Sequence, residues 1–352
     1  MNNLNKKILI TGGAGFIGGS LVKRLLNSTN YDIFNIDKMG YASDLSSILK
    51  VEGAEIKHKF FKLDLRYKDS LENLFLEIDP DLVINFAAES HVDRSLDNPS
   101  NFIESNIIGT FNLLEASRKH WNKMPKERKQ SFKFHHISTD EVYGSLGEKG
   151  SFNERTRYEP RSPYSASKAS SDHLVNSWYH SYGLPTVITN CSNNFGPYQF
   201  PEKLIPLAII KAYKGEKIPL YGDGSNIRDW LYIDDHIDAI LLVAEKAKPG
   251  ANYCIGGFGE KSNKDVLLGI CKLMDEYNIK SFSHDKLIEN VKDRPGHDHR
   301  YSINSELIQK ELGWFPKINF EDGLSKTVRW YLNNIDWCES IIQKSGYEGG
   351  RL

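Results

Sequence analysis

The feature that most constrains the fold is a glycine-rich stretch near the start of the chain. Residues 11–18 read Thr-Gly-Gly-Ala-Gly-Phe-Ile-Gly, after the apolar run at 7–10 and before a helical pattern through Leu21, Leu25 and Leu26. Glycines between a strand and a helix are typical of a loop that binds a pyrophosphate, because they allow a tight turn and close approach of the phosphate. The helix N-terminus then faces the anion. The sequence therefore predicts an α/β fold with a Rossmann-type, doubly wound parallel sheet.

The second predicted strand, residues 33–36, ends in an acid, Asp37, about twenty residues after the last glycine. A carboxylate there accepts a hydrogen bond from a ribose 2′-hydroxyl and repels a 2′-phosphate, so we expect NAD rather than NADP. Small or polar residues at the ends of the other strands are expected to complete this site. The expected NAD-binding residues are Gly12, Gly15, Phe16, Ile17, Gly18, Asp37, Lys38, Asp64, Leu65, Ala87, Ala88, Ser90, Tyr164, Lys168 and Asn194.

A second stretch carries groups suited to acid–base chemistry. The strand predicted over 132–137 runs into Thr139, Asp140 and Glu141. Ligands of open α/β sheets lie beyond the carboxyl ends of the strands, so a hydroxyl and two carboxyl groups at this end suit a reactive site. Adjacent strand residues point to opposite faces, so the backbone must leave the extended state here, which Gly144 permits.

A helix that follows supplies a tyrosine and a lysine. Ser162 and Pro163 are typical of an N-cap and the first helical position. Tyr164 and Lys168 then form an i, i+4 pair on one helix face near the N-terminus. A nearby ammonium and the helix N-terminus would lower the tyrosine pKa from about 10, as a base near neutral pH requires.

The second half of the chain replaces the regular alternation with short elements rich in lysine and arginine. We expect a smaller mixed α/β lobe that binds the substrate, in which Arg228 and Arg294 are candidates for holding a diphosphate. Residues 229–233 and the helix after Asp234 are expected to return to the main domain. The expected division is therefore interleaved, with 1–190 and 230–255 in the NAD-binding domain and 191–229 and 256–352 in the lobe.

Composition narrows the classes of partner. The net charge of −1 gives no indication of bulk binding to nucleic acid or to a membrane surface. The four cysteines are far apart and lack metal-ligand spacing, so we expect no metal and reduced thiols in a cytoplasmic protein. No apolar run approaches transmembrane length. The helices predicted over 101–119 and 164–181 could form a homodimer through a helix bundle.

Taken together, these motifs resemble the extended short-chain dehydrogenase/reductase superfamily, through residues 11–18 and the Tyr-Ser-Ala-Ser-Lys stretch at 164–168. Within it the chain is similar to the nucleoside-diphosphate-glucose 4,6-dehydratases, through AAESHVDRS, STDEVYGSLG, NNFGPYQFPEKLIP, GDGSNIRDWLYIDD and DRPGHDHRY. The paired Asp140 and Glu141 discriminate best, because epimerase and decarboxylase relatives lack them. One departure is Gly40, where relatives usually carry a hydroxyl residue that could make one ribose or phosphate hydrogen bond.

The resemblance implies a reaction and a role for each residue. Tyr164, helped by Lys168 and Thr139, would take the proton of the sugar 4-hydroxyl during transient oxidation at C4. Glu141 would then remove the C5 proton and Asp140 would protonate the leaving 6-hydroxyl, before hydride returns to C6. The substrate would be a nucleotide sugar, with dTDP-glucose favoured. The residues expected to bind it are Ser90, Thr139, Asn193, Glu202, Lys203, Leu204, Pro219, Tyr221, Arg228, Asn263, Arg294 and His297.

Alternatives remain open at the level of the sequence. A nucleotide-sugar 4-epimerase would use Tyr164 and Lys168 but would have no use for Asp140 and Glu141. A non-catalytic NAD-sensing protein would not need all five reactive side chains. A UDP-glucose dehydratase is also possible, because thymine and uracil differ by a methyl group worth only about 1–3 kcal/mol in binding.

Overall fold

A computed structural model of the 352-residue chain describes residues 6–277, 279–293 and 296–346. Within these ranges, one sheet has seven parallel strands: β1 (Lys7–Thr11), β2 (Asp32–Asp37), β3 (His58–Lys62), β4 (Leu82–Asn85), β5 (Lys133–Thr139), β6 (Thr186–Cys191) and β10 (Asn252–Ile255). Their order across the sheet is β10-β6-β5-β4-β1-β2-β3. From β1 the chain adds β2 and β3 on one side, and then β4, β5, β6 and β10 on the other. The predicted Rossmann-type sheet is confirmed.

Helices cover both faces of this sheet. Successive strand residues point to opposite faces, so each strand contributes apolar side chains to both layers of helices. Ile8 and Ile10 pack with Leu21 and Leu25 on one face. Leu9 packs with the helices of the other face. The helices are α1 (Phe16–Ser28), α2 (Ser46–Leu49), α3 (Ala54–Lys57), α4 (Lys68–Ile78), α5 (Val92–Asp97), α6 (Pro99–Phe102), α7 (Gly109–Lys123), α8 (Lys126–Ser131), α9 (Pro163–Tyr182), α10 (Leu204–Lys214), α11 (Ile233–Lys246), α12 (Asn263–Glu276), α13 (Glu306–Leu312), α14 (Phe320–Leu332) and α15 (Ile335–Ser345).

The second half of the chain builds the smaller mixed α/β lobe that the sequence predicts. Its strands are β7 (Asn193–Phe195), β8 (Ile218–Tyr221), β9 (Ile227–Tyr232), β11 (Glu260–Ser262) and β12 (Ile288–Val291). Strand β9 lies between β11 and β7, and β8 pairs with β12. Of residues 229–233, which we expect to return to the main domain, 229–232 belong to β9 and pair with β11 and β7. The return is made by α11, which packs on α1, and by β10 at the edge of the large sheet.

The helix expected over 101–119 is not one regular element. A π-helical segment, Ile103–Ile108, joins α6 to α7, and α7 continues to Lys123. Asn106, in the π-helical segment, is buried and binds both the backbone of Glu89 and the Ser167 hydroxyl. The wider turn therefore places a polar side chain between the β4 loop and α9. Within the described residues, no helix has the length and apolar character needed to cross a membrane.

Candidate active site

The glycine loop between β1 and α1 has the geometry of an anion cradle. Gly12 has a φ of +71°, and a Cβ there would lie 2.6 Å from the Ala87 amide nitrogen. A Cβ on Gly18 would lie 2.4 Å from the Gly12 carbonyl oxygen, so only glycine lets α1 pack this closely on the loop. Gly15 is the N-cap of α1 and provides no side-chain cap, and the first turn of α1 contains no acid. The N-terminal amides around Phe16 and Ile17 therefore suit a pyrophosphate.

Asp37, at the end of β2, makes hydrogen bonds that connect the glycine loop to the loop after β2. Its carboxylate accepts hydrogen bonds from the amides of Ala14 (3.1 Å) and Met39 (2.8 Å) and from the Ser43 hydroxyl (2.9 Å). A carboxylate has about four acceptor positions, so one remains for a ribose hydroxyl. Ser43 also supplies a hydroxyl on the loop that contains Gly40.

The other expected cofactor residues surround the same edge of the sheet. Lys38 donates hydrogen bonds to Glu89 (2.5 Å) and Ser105 (2.9 Å). Asp64 pairs with Arg66, whose hydrogen bonds lower the Asp64 pKa against the effect of burial. The remaining residues on this edge are Leu65, which is buried, and Ala87, Ala88 and Ser90, which follow β4.

Asn194, also an expected cofactor residue, makes side-chain hydrogen bonds to other residues of the protein. Its side-chain oxygen lies 2.8 Å from His236 Nδ1, and its amide nitrogen donates to the Ser192 carbonyl (3.0 Å).

The end of β5 brings the two acids into one place. The chain turns into a 3-10 helix, Asp140–Tyr143, capped by Thr139, and Gly144 leaves it with a φ of +87°. Asp140 is 1 % exposed, and the Thr139 hydroxyl donates to its Oδ1 (3.2 Å). Its Oδ2 has no hydrogen-bond partner among the described residues. Burial, followed by the charges of Glu141 and Asp229, raises the Asp140 pKa well above its usual value. The raised pKa favours the protonated form of Asp140, which is the form that a general acid requires.

Tyr164 enters this site from α9. Ser162 and Ser165 form a reciprocal capping box around Pro163, which confirms the predicted helix start. Burial, then the negative charges of Glu141 and Cys191, raise the Tyr164 pKa well above its ordinary value, against a hydrogen bond with Thr139. The prediction that the protein itself lowers this pKa is therefore wrong. Burial and like charge outweigh the helix N-terminus.

Lys168 lies one turn further along α9, and its ammonium faces the interior. Its Nζ donates to the Ile137 carbonyl (2.9 Å) and lies 3.4 Å from His136 Nε2. Burial lowers the Lys168 pKa, whereas the charge of Asp172 opposes that shift. The pair at 164 and 168 thus shares a helix face, as predicted, while the ammonium is held by strand β5.

A buried polar network behind Lys168 was missed by the sequence analysis. Asp172 has no exposed surface, and its Oδ2 accepts hydrogen bonds from Ser138 (2.8 Å), Tyr158 (2.9 Å) and Asn190 (3.1 Å). Its Oδ1 lies 3.3 Å from His136 Nε2. Burial alone would raise the Asp172 pKa. The hydrogen bond and charge of His136, the charge of Lys168 and the hydrogen bond of Ser138 together lower it. Asp172 is therefore an ionised carboxylate next to the buried lysine.

Asp229 of β9 is a third acid that the sequence analysis did not single out. It is fully buried and accepts hydrogen bonds from the amides of Gly257 (3.2 Å) and Gly259 (2.9 Å). Burial raises its pKa to about 6. Its charge contributes to the raised pKa of Asp140, so the smaller lobe influences the acid at the end of β5.

The expected substrate residues nearest the large sheet form a linked group. Tyr41 donates to Glu202 (2.6 Å), which also faces Arg94 at 3.4 Å. Lys203 donates to the Ser90 carbonyl (3.1 Å). Asn193 has a buried side-chain oxygen with no partner among the described residues, and Leu204 begins α10.

The remaining substrate candidates lie in the smaller lobe. Arg228 is buried over the Tyr301 ring at 4.2 Å and donates to the Asp298 carbonyl (3.0 Å). His297 bonds Asp293 (2.6 Å) and its ring lies edge-on to Tyr221. Pro219 is in β8 and Asn263 begins α12. Arg294 lies outside the described residues.

Comparison with known proteins places this arrangement among sugar-nucleotide enzymes. The family described as GDP-mannose 4,6 dehydratase matches residues 9–327. A dTDP-glucose 4,6-dehydratase of Escherichia coli is 49% identical over 361 residues, covering 98% of this chain and 99% of that protein.

Solved structures agree with that match. The dTDP-glucose 4,6-dehydratase of Bacillus anthracis, in complex with NAD, is 42% identical with a TM-score of 0.85, covering 96% of this chain and 99% of that one. The dTDP-glucose 4,6-dehydratase of Streptomyces venezuelae, also with NAD bound, is 39% identical with a TM-score of 0.86, covering 95% and 99%.

Proposed function

This chain belongs to the GDP-mannose 4,6 dehydratase family, and from that membership we propose that it is an NAD-dependent dTDP-glucose 4,6-dehydratase. The product would be dTDP-4-keto-6-deoxyglucose and water. The observation that carries the proposal is the pairing of Asp140 and Glu141 beside Tyr164, with the Asp140 pKa raised. A 4-epimerase would have no use for a buried acid with a raised pKa at this position.

The residues present fit the proposed cofactor. The glycine loop leaves the N-terminus of α1 without a side-chain cap, which suits a pyrophosphate. Asp37 retains one acceptor position, which suits a ribose hydroxyl and disfavours the 2′-phosphate of NADP. When bound, NAD supplies the hydride acceptor and donor that the reaction needs at C4 and C6.

The chain itself does the proton chemistry. The positive charges of Lys168 and, when NAD is bound, of the nicotinamide would oppose the raised pKa of Tyr164, so that Tyr164 takes the proton of the 4-hydroxyl. Thr139, already bonded to the tyrosine, can bind the same sugar oxygen. Glu141 takes the C5 proton, which the 4-ketone has made acidic. Asp140, whose raised pKa favours the protonated form, gives its proton to the leaving 6-hydroxyl. Lys168 places a positive charge on the same helix face as Tyr164.

The smaller lobe is proposed to hold the nucleotide part of the substrate. Arg228, with its stacking and carbonyl contacts, has a fixed guanidinium plane suited to a phosphate. Asn193 offers to a hydroxyl or amide a buried oxygen that has no partner in the part of the chain that the structure describes. We retain the division into 1–190 with 230–255 and 191–229 with 256–352 as a proposal, in which α11 and β10 connect residues 230–255 to the main domain.

A homodimer is also proposed. Phe111 of α7 and Tyr182 of α9 are exposed and flank Trp178, which contacts both rings. Ile103 and Ile108 extend this apolar surface along the π-helical segment. Helices α7 and α9 from two copies could bury it as a four-helix bundle. All four cysteines are free and buried, which fits the proposed cytoplasmic location.

The test is direct. The purified protein is incubated with dTDP-glucose or with UDP-glucose, and mass spectrometry follows the loss of one water from the sugar nucleotide. We expect dehydration, faster with dTDP-glucose. Formation of an isomer of unchanged mass would indicate an epimerase, and equal rates with both substrates would contradict the proposed base preference.

A further inference from the structure

The C-terminal helix α15 lies beyond residues 9–327, the part of the chain that the family match covers. It nevertheless packs against the cofactor loops at the start of the chain. Cys338 is buried in the core that also contains Leu21 and Leu25 of α1, and Ile341 is buried as well. A narrow cavity separates the two parts, lined by Gly15 on one side and by Trp337 on the other. The helix is therefore an outer wall of the glycine loop.

Trp337 makes the polar contact across this boundary. Its indole N–H lies 2.9 Å from Asp44 Oδ2 and 3.1 Å from Ser46 Oγ. Its ring is held on the other side by Tyr198 and Trp330, with ring centroids 5.3 Å away in each case. A half-buried indole fixed by two rings keeps one donor direction, so Trp337 constrains Asp44.

Asp44 continues the connection to the cofactor site. Its amide donates to the Ala14 carbonyl (2.8 Å), and the Ala14 amide donates to Asp37 (3.1 Å). A continuous path of hydrogen bonds thus runs from α15 through the loop after β2 to the glycine loop and the acid assigned to the ribose.

We propose that Trp337 is a positioning residue that retains the cofactor, because it fixes the Asp44 loop against the glycine loop. The inference rests on the proposed NAD-dependent function. A cradle held in its binding geometry has less conformational entropy to lose when a ligand binds, so its ligand leaves more slowly. Without the indole N–H, the Asp44 loop can separate from Ala14 more readily and the cofactor dissociates faster.

The experiment measures NAD retention in the purified holoprotein. Wild type, Trp337→Phe, Asp44→Ala and the double variant are transferred to NAD-free buffer, and the NAD still bound is quantified by chromatography after denaturation. Trp337→Phe keeps an aromatic ring but removes the donor, whereas Asp44→Ala removes the acceptor and leaves the backbone bond to Ala14. We expect each single variant to lose NAD about tenfold faster than wild type. The two losses should be less than additive in the double variant, because Trp337 and Asp44 share one hydrogen bond and Ser46 is a partner of both.

Trp121→Phe is the matched control, because its indole N–H donates to the Lys129 carbonyl (3.0 Å) on α8, away from the glycine loop. It should retain NAD as wild type does. Equal retention in wild type and Trp337→Phe, additive losses in the double variant, or an equal loss in Trp121→Phe would each overturn the proposal. A wild-type protein that neither contains nor binds NAD would overturn the proposed function itself, and the wild-type sample alone reveals that outcome.

Discussion

Two aspartates at the end of the large sheet are equally buried, but their pKa values are shifted in opposite directions. Asp140 is 1 % exposed and its pKa is raised, whereas Asp172 is 0 % exposed and its pKa is lowered. Asp140 receives one hydrogen bond and faces two other acids. Asp172 receives three and lies next to His136 and Lys168. Burial raises the cost of charge at both positions, and the partners decide whether that charge is kept.

The difference divides the site into two parts. The acidic part, Asp140 with Glu141 and Asp229, is suited to giving and taking protons during elimination. The cationic part, Lys168 with His136 and Asp172, is a hydrogen-bonded support beneath Tyr164. His136 is neutral there, because burial lowers its pKa to about 4.

The largest expected effect tests whether oxidation belongs to Tyr164. Tyr164→Phe removes the base before any other step, so hydride transfer should be abolished and no NADH absorbance should appear on adding substrate. Tyr143→Phe is the matched control, because Tyr143 is also buried and its hydroxyl contacts Cys254 Sγ at 3.3 Å. Normal NADH formation in Tyr164→Phe would mean that Tyr164 is not the base for oxidation, and it would contradict the division of the site into two parts.

The next effect tests whether elimination belongs to the acidic part. Asp140→Asn and Glu141→Gln keep the side-chain shapes but cannot exchange the required protons. Water loss should slow by about 10²–10⁴, while oxidation continues and NADH accumulates in a single turnover. Stopped-flow absorbance and mass spectrometry separate the two steps. If both variants only raise the Michaelis constant, Asp140 and Glu141 bind substrate rather than transfer protons.

A stability measurement tests the comparison without substrate. Asp172→Asn leaves His136, Lys168 and three donors without their carboxylate, so the free energy of unfolding should fall by about 3 kcal/mol or more. Asp140→Asn removes a carboxyl group whose ionisation is opposed by burial, so stability at pH 7 should be unchanged or higher. Urea unfolding of both variants checks this. Equal losses would mean that burial alone governs the two positions.

Asp172 and Asp140 should make the free energy of unfolding change with pH in opposite directions. Asp172 has a lowered pKa, so its stabilisation is present above about pH 4 and is lost as the pH falls through the folded pKa. Asp140 has a raised pKa, so the wild type loses stability as the pH rises from about 4 toward the folded pKa. The advantage of Asp140→Asn over wild type should therefore grow with pH, and the deficit of Asp172→Asn should shrink on acidification.

The smallest effect concerns the third acid. Asp229 is ionised above about pH 6 and its charge helps to raise the Asp140 pKa. Asp229→Asn should therefore lower the Asp140 pKa and move the alkaline limit of water elimination to lower pH. The pH profile of the elimination step measures this, with Glu55→Gln on the exposed α3 as an acid-to-amide control. A shift to higher pH would contradict the role assigned to Asp229.

The sequence predicted the parts of this site that depend on local pattern. The glycine loop, Asp37 and the Tyr164–Lys168 pair follow from spacing within one strand–helix unit. Asp172 also had a local signal, because it lies four residues after Lys168 on the same face of α9. The pattern was missed because an acid at that spacing is equally typical of an exposed ion pair.

Other contacts had no local signal. Asp229 reaches Asp140 only because β9 pairs with β7 and β11, and Trp337 meets Asp44 across 293 positions. The direction of the Tyr164 pKa also failed, because burial depends on the packing of the whole site. Local spacing predicts which side chains share a helix or strand, whereas the pKa of a side chain depends also on residues that are distant in the sequence.

The position of β10 has a consequence for the synthesis of this protein. Strand β10 covers the β6 edge of the large sheet, but the smaller lobe begins between them. A growing chain that has completed β6 must therefore wait for roughly 60 more residues, about 3–12 s of translation, before that edge is paired. During this interval a strand that is buried in the folded protein presents free backbone groups to other nascent chains. Overproduced protein should thus be most prone to aggregate while the ribosome is translating the smaller lobe, and slower growth at low temperature would give chaperones more time to protect that edge.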